Sequence, residues 1–208
     1  MGKIGSVFRG MRHPRVFFVA FGSYVFCMWA SNWMIGNVGT EIPGGPHVIG
    51  VGFGLSAPSG VVTIGIALAL RDLLQFSSST ADSPWRDRTS IISTGIAIAL
   101  GAAVSATTAD SALVVASTSA IVLGEVSDWM GFTSTSPRSG SRVRGWAVAV
   151  GVGGLLGAVV DSVVFLSLAF GSLQLLPGQV IGKLLGVFVA VVLVSARRMI
   201  WNTTPNPC

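Results

Sequence analysis

Arg71, Asp72, Glu125, Asp128, Asp161 and Lys183 all fall inside stretches whose other residues are mostly apolar, with Gln75 and Gln179 beside them as polar companions. Such a set can bind a small polar solute, pass a proton, or tie helices together. Asp72 and Gln75 lie three apart, as do Glu125 and Asp128, while Gln179 and Lys183 lie four apart, so on a helix each pair shares one face. Arg71 and Asp72 are adjacent, so on a helix they diverge by about 100° and each is expected to need partners on other helices. If Arg71 and Lys183 each neutralise one acid, two acids remain, and these call for a proton or for a hydrogen-bonding or cationic ligand. The competing account makes the set structural glue, or places Asp72, Glu125 and Asp128 close enough to an aqueous interface to be hydrated. For Glu125 the two accounts stand level; Asp161, the deepest in its stretch, is the strongest binding candidate.

The elements that must hold these residues follow from composition. Charged residues make up 10% of the 208, against 51% hydrophobic, with 27 glycines. Soluble domains carry roughly 25% charged residues, so this chain has too little polar surface to cover a globule in water. Membrane helices need about 20 mostly apolar residues each. Six stretches qualify: Val16 to Trp33, Pro58 to Phe76, Thr89 to Thr107, Ala112 to Met130, Gly145 to Phe170 and Pro177 to Ala196. They run continuously and do not alternate, which excludes a transmembrane β-barrel. The expected fold is an all-α integral membrane protein of six helices forming one domain over 1–208, with an N-terminal segment 1–15 and a tail 197–208.

Eleven of the 13 Lys and Arg residues lie at the N-terminus, in the second and fourth loops, or in the tail, the exceptions being Arg71 and Lys183. All eleven fall on one side of a six-helix alternation, which the positive-inside rule makes cytoplasmic. Both termini are therefore expected inside, in a multi-pass inner (plasma) membrane protein. The net charge of +5 reflects that bias, and nucleic-acid binding is excluded because the charges are scattered over short loops. The first apolar run is longer than a signal-peptide core and is followed by five more, so it reads as an uncleaved helix. Residues 34–57 form a Pro- and Gly-rich external segment, for which an ordered loop is favoured over a re-entrant or interfacial lid. The tryptophans mostly sit near helix ends, as interface anchors.

Cys27 lies within the first helix and Cys208 in the tail, so neither a disulfide nor a metal cluster is expected. No phosphate-binding G-x-x-x-x-G-K-[ST] motif is present, and His13 and His47 fall in the N-terminal segment and the external loop. The chain is not expected to be an enzyme or to hold a cofactor.

LGEVSDWMGF (123–132), RGW (144–146) and GAVVDSVVFLSLAFG (157–171), with ALRDLLQ (69–75) and PGQVIGKLL (177–185), resemble the vitamin uptake transporter family, also called queuosine precursor transporters. The resemblance covers most of the chain from about Pro58 onward. It implies a compact six-helix importer of 7-deazaguanines such as 7-cyano-7-deazaguanine, and it implicates Asp72, Glu125, Asp128, Asp161, Gln179 and Lys183. Ala158 and Val160 stand where some members carry Asn and Ser, and Ser162 replaces a Thr, which implies a shifted substrate preference.

The chemistry of the residues fits. A guanine-like base presents a ring N–H beside an exocyclic amine, and one carboxylate accepts both. Asp161 is the first choice for that role, with Asp128 or Glu125 second. Gln179 offers donor and acceptor, Lys183 donates to a carbonyl or balances an acid, and an aminomethyl cation suits surplus carboxylate. Phe165 and Trp146 are stacking candidates, although core packing is the stronger account for Phe165. Arg71 and Gln75 complete the candidate set. The expected mechanism is secondary or facilitated transport by alternating access, with protons as a candidate coupling ion; a homodimer is compatible with the sequence. Two rivals are a substrate-binding membrane subunit of a multi-part ATP-driven importer and a non-transport membrane scaffold.

Overall fold

The computed structural model describes residues 14–78, 88–107, 110–135 and 142–202. Among them are six helices: α1 (Pro14–Asn37), α2 (Val61–Ser78), α3 (Arg88–Ser105), α4 (Ser111–Thr135), α5 (Arg142–Phe170) and α6 (Leu176–Asn202). Local chemistry marks several ends. Pro14 opens α1 and Pro177 sits in the first turn of α6, where a missing N–H is harmless. Gly171, at φ 62°, closes α5 by donating its N–H to the Ser167 carbonyl at 3.1 Å.

Four helical stretches, Pro14–Asn37, Arg88–Ser105, Ser111–Asp128 and Val152–Phe170, are long and apolar enough to cross a bilayer. Their outer faces agree. Phe18, Phe26, Ile91, Val115, Leu155 and Leu168 are all more than half exposed, whereas Ser31, Ser59, Ser90, Ser93, Asp161 and Lys183 are buried. An outer face of large apolar side chains, with charged and hydroxyl side chains buried among the apolar core, is unlike a soluble protein. The protein is membrane-embedded.

The expectation of an all-α chain needs correction. Between α1 and α2 lies a three-stranded antiparallel sheet, β1 (Thr40–Glu41), β2 (His47–Gly52) and β3 (Leu55–Pro58), in that order. Val48 faces Pro58 and Ile49 faces Ala57. Phe53 and Gly54, both at positive φ, form the two-residue turn between β2 and β3, as the twist of a tight hairpin requires. Val51 and Ala57 are buried against Val61, with Ile181 packed on them, so the sheet caps the ends of α2 and α6. His47 Nδ1 lies 3.1 Å from the Ile35 carbonyl and the Ser59 hydroxyl donates to the Met34 carbonyl at 2.6 Å, which fastens the sheet to the end of α1. Pro58 consequently ends a strand, and α2 starts three residues later than expected.

In lipid, apolar area alone does not drive helices together, so close backbone approach at small residues does much of the work. The glycines divide the helices into two bodies. Gly60 meets Ser31, Gly101 meets Tyr24 and Met28, and Gly65 and Gly186 pack α2 on α6, which unites α1, α2, α3 and α6; Gly178 meets Ser56 and so adds the sheet. Gly124, Gly131 and Gly157 pack α4 on α5, the most extensive helix pairing in the fold. None of these close approaches crosses from one body to the other. The seam is filled instead by Ile35, Ala116, Ala120, Phe165 and Leu166, and by charged side chains.

Candidate functional site

Two glycines fix the depth of the acids. A methyl group placed on Gly124 of α4 would lie 2.8 Å from Asp161 Cβ, and one placed on Gly157 of α5 would lie 3.0 Å from Asp128 Cβ. Each acid thus stands opposite a glycine that lets the partner helix approach. The signal was present in the chain, because Gly124 precedes Asp128, and Gly157 precedes Asp161, by four residues. That shared spacing was missed.

Across the seam, the charges form two separate groups. In the first, Lys183 of α6 pairs with Asp161 of α5 and donates to the Ser162 hydroxyl at 2.8 Å. Lys183 is 2% exposed and Asp161 4%, so both charges are withdrawn from water. The Ser162 hydroxyl donates in turn to the Ala158 carbonyl at 2.7 Å. In the second group, Arg71 of α2 binds Glu125 of α4, Asp128 Oδ2 at 3.1 Å and Asp72 Oδ1 at 2.6 Å. Arg71 Nε also donates to Asp72 Oδ1, at 3.1 Å.

Arg71 and Asp72 were each expected to need partners on other helices; Arg71 has them in Glu125 and Asp128 of α4, while Asp72 pairs with Arg71 itself. Its long stem lets the five-donor guanidinium fold back on its neighbour while still reaching α4. Asp72 is the outermost member, its side chain 47% exposed. The two acids in excess are therefore both in the Arg71 group, and Asp161 is matched one to one by Lys183.

A cavity of about 30 Å³ lies in the seam between the two bodies. Asp161, Lys183, Gln179 and Asn32 supply its polar wall; Phe165 and Ile64 are on the apolar side. Two of the polar side chains are unsatisfied. Asn32 Nδ2 and Gln179 Oε1 have no hydrogen-bond partner among the described residues, although Asn32 is 6% exposed and Gln179 4%. Buried polar atoms are paired in the great majority of proteins, so one unmatched donor and one unmatched acceptor on a single cavity mark it chemically.

Of the candidates read from the chain, Asp161, Lys183, Gln179 and Phe165 meet at this cavity. Phe165 also packs edge-on against Phe170, with ring centroids 5.6 Å apart. Arg71, Asp72, Glu125 and Asp128 come together elsewhere: Ile64 and Arg71 are seven residues apart on α2, about 10 Å along the axis, and the Arg71 group is on the side away from the sheet. Glu125 and Asp128 do not line the cavity. Gln75 is half-buried, and its backbone carbonyl accepts from Ser90 at 2.8 Å. Trp146 falls outside the residues whose side chains are described. Asn32 was not among the candidates, because a polar residue next to the last position of an apolar run reads as an interface residue.

The fold and site thus define a membrane-embedded helical protein with a small, mostly apolar chamber between two packed bodies, into which a few buried polar side chains reach. Compared with protein-family models, curated proteins and solved structures, the chain finds no match in any of the three.

Proposed function

We propose that the protein is a six-span carrier that imports a 7-deazaguanine, such as 7-cyano-7-deazaguanine, across the plasma membrane by alternating access, with both termini cytoplasmic. On this reading α2 and α6 are the fifth and sixth spans. The observation that carries the proposal is the cavity in the seam, where Asp161, Gln179 and Asn32 offer acceptors and a donor at the depth where the two bodies meet. A carboxylate can accept from a ring N–H and an adjacent exocyclic amine together, and Phe165 offers an apolar wall to a flat ring.

A cavity of about 30 Å³ has room for about two water molecules and not for a two-ring base. Loading requires α4 and α5 to part from α2 and α6. The seam suits such a movement, because its charged contacts join discrete groups and its glycine contacts all lie within the bodies. Opening on the sheet side exposes the cavity outward while the Arg71 group holds the opposite end; release of the Arg71 group exposes it inward. Solute N–H groups compete with Lys183 for Asp161, which links binding to separation of α5 from α6.

Expression in a cell that lacks its own route for 7-deazaguanines is expected to confer uptake of radiolabelled 7-cyano-7-deazaguanine. Asp161→Asn abolishes it while the protein still reaches the membrane. Uptake by the variant at the wild-type rate contradicts the assignment.

A further inference from the structure

Asn32 lies before the stretch that carries the family resemblance, on a helix that contributes no charge to the cavity. Its neighbour Ser31 also lines the cavity, but the Ser31 hydroxyl is engaged with the Met28 carbonyl at 2.9 Å. Asn32 Nδ2 is engaged with nothing described. Gln179, on α6 of the same body, holds its unmatched Oε1, and the next turn of that helix carries Lys183. Thr94 Oγ1 is also unmatched but does not line the cavity, so the coincidence at the cavity is specific to the two amides.

A buried amide that keeps an unmatched atom costs free energy in the unliganded fold, and a ligand that supplies the missing partner recovers that cost on binding. The pair asks for a particular ligand edge. Asn32 Nδ2 requires an acceptor, Gln179 Oε1 requires a donor, and the Asp161 carboxylate, an acceptor only, requires further donors. A ring carbonyl beside a ring N–H beside an exocyclic amine supplies acceptor, donor and donor in that order.

We infer that Asn32 is a specificity-determining residue: its side-chain amide reads the ring carbonyl of the solute, while Gln179 and Asp161 read the N–H groups next to it. This rests on reading the cavity as the solute site. The substrate class is then a 2-amino-oxo heterocycle, and an analogue lacking the carbonyl leaves a buried donor unpaired. Sites built around such hydrogen bonds reject analogues strongly, because the unmatched group stays unmatched.

The test measures binding of 7-cyano-7-deazaguanine, guanine and 2-aminopurine to purified full-length protein in detergent, by ligand-dependent thermal stabilisation. 2-Aminopurine lacks both the carbonyl and the ring N–H. Wild-type protein is expected to favour guanine over 2-aminopurine by tenfold or more. Asn32→Leu, of the same branched outline, is expected to weaken guanine and 7-cyano-7-deazaguanine by tenfold or more and 2-aminopurine by less than threefold. Without added solute, Asn32→Leu melts at or above the wild-type temperature, because no hydrogen bond is lost. Asn32→Asp, which keeps the shape and removes the donor, gives the same loss of preference and serves if the Leu variant does not fold.

Unchanged preference in either folded variant overturns the inference and leaves the transport reading standing. A fall of several degrees in the melting temperature of Asn32→Leu, with preference intact, makes Asn32 structural and overturns it too. Failure of wild-type protein to bind any of the three removes the reading on which the inference rests.

Discussion

Asp161 and Lys183 form a one-to-one ion pair in a setting where neither has water to fall back on. Removing one partner of such a pair leaves the other buried and uncompensated, which destabilises by about 3–5 kcal/mol, whereas replacing both by apolar residues of similar size is often nearly neutral. Asp161→Leu alone is therefore expected to lower the melting temperature strongly in detergent, and the double variant Asp161→Leu, Lys183→Met to recover most of the loss while transporting nothing. Recovery of stability together with transport would show the pair to be scaffolding. The presence of these charges was legible in the chain, because six ionisable side chains stand out in apolar runs. Their pairing was not. The chain supports a count of four acids against two bases, but only side-chain reach decides that Arg71 gathers three acids and leaves Lys183 to one. Asn32 was hidden for a different reason: an amide near a helix end is ordinary, and what singles it out is an unmatched atom on a cavity wall.

At the level of elements, glycines decide which helices can touch. A methyl group on Gly65 of α2 runs into the backbone of α6 at Lys183 and Gly186, while one on Gly95 of α3 meets nothing within 4 Å. Gly65→Leu is thus expected to break the α2 and α6 contact and destroy the fold, and Gly95→Ala to melt at or slightly above the wild-type temperature because Ala favours helix over Gly. Thermal unfolding of the two variants side by side checks this; equal stability would mean that α2 and α6 are not packed through Gly65. The helices themselves were readable to within a few residues at most ends, since long apolar runs have one solution in lipid. The sheet was not readable. Its strands are two to six residues long, and GVGFGLSAP shows glycine at three of its first five positions, which masks the alternation that marks a strand. Those glycines at positions 52 and 54 are where the hairpin needs positive φ. Phe53 shares that backbone region at φ 54°, an uncommon position for a bulky side chain, and is 93% exposed.

For the whole molecule, the sheet and the Arg71 group mark opposite ends of the cavity, so orientation in the membrane decides which end admits solute. The proposed orientation, with the basic segments cytoplasmic, puts the sheet outside. In a Cys27→Ala, Cys208→Ala background, Phe53→Cys is expected to react with a membrane-impermeant maleimide added to intact cells; labelling only after lysis would invert the topology. The same two-body architecture governs the central claim, that the chain by itself carries a 7-deazaguanine through the chamber at Asp161. The most direct measurement is uptake of radiolabelled 7-cyano-7-deazaguanine into lipid vesicles containing only the purified protein. The account predicts saturable uptake by wild-type protein, competed by unlabelled compound and absent in Asp161→Asn. No uptake above protein-free vesicles, or equal uptake by the Asn variant, contradicts it.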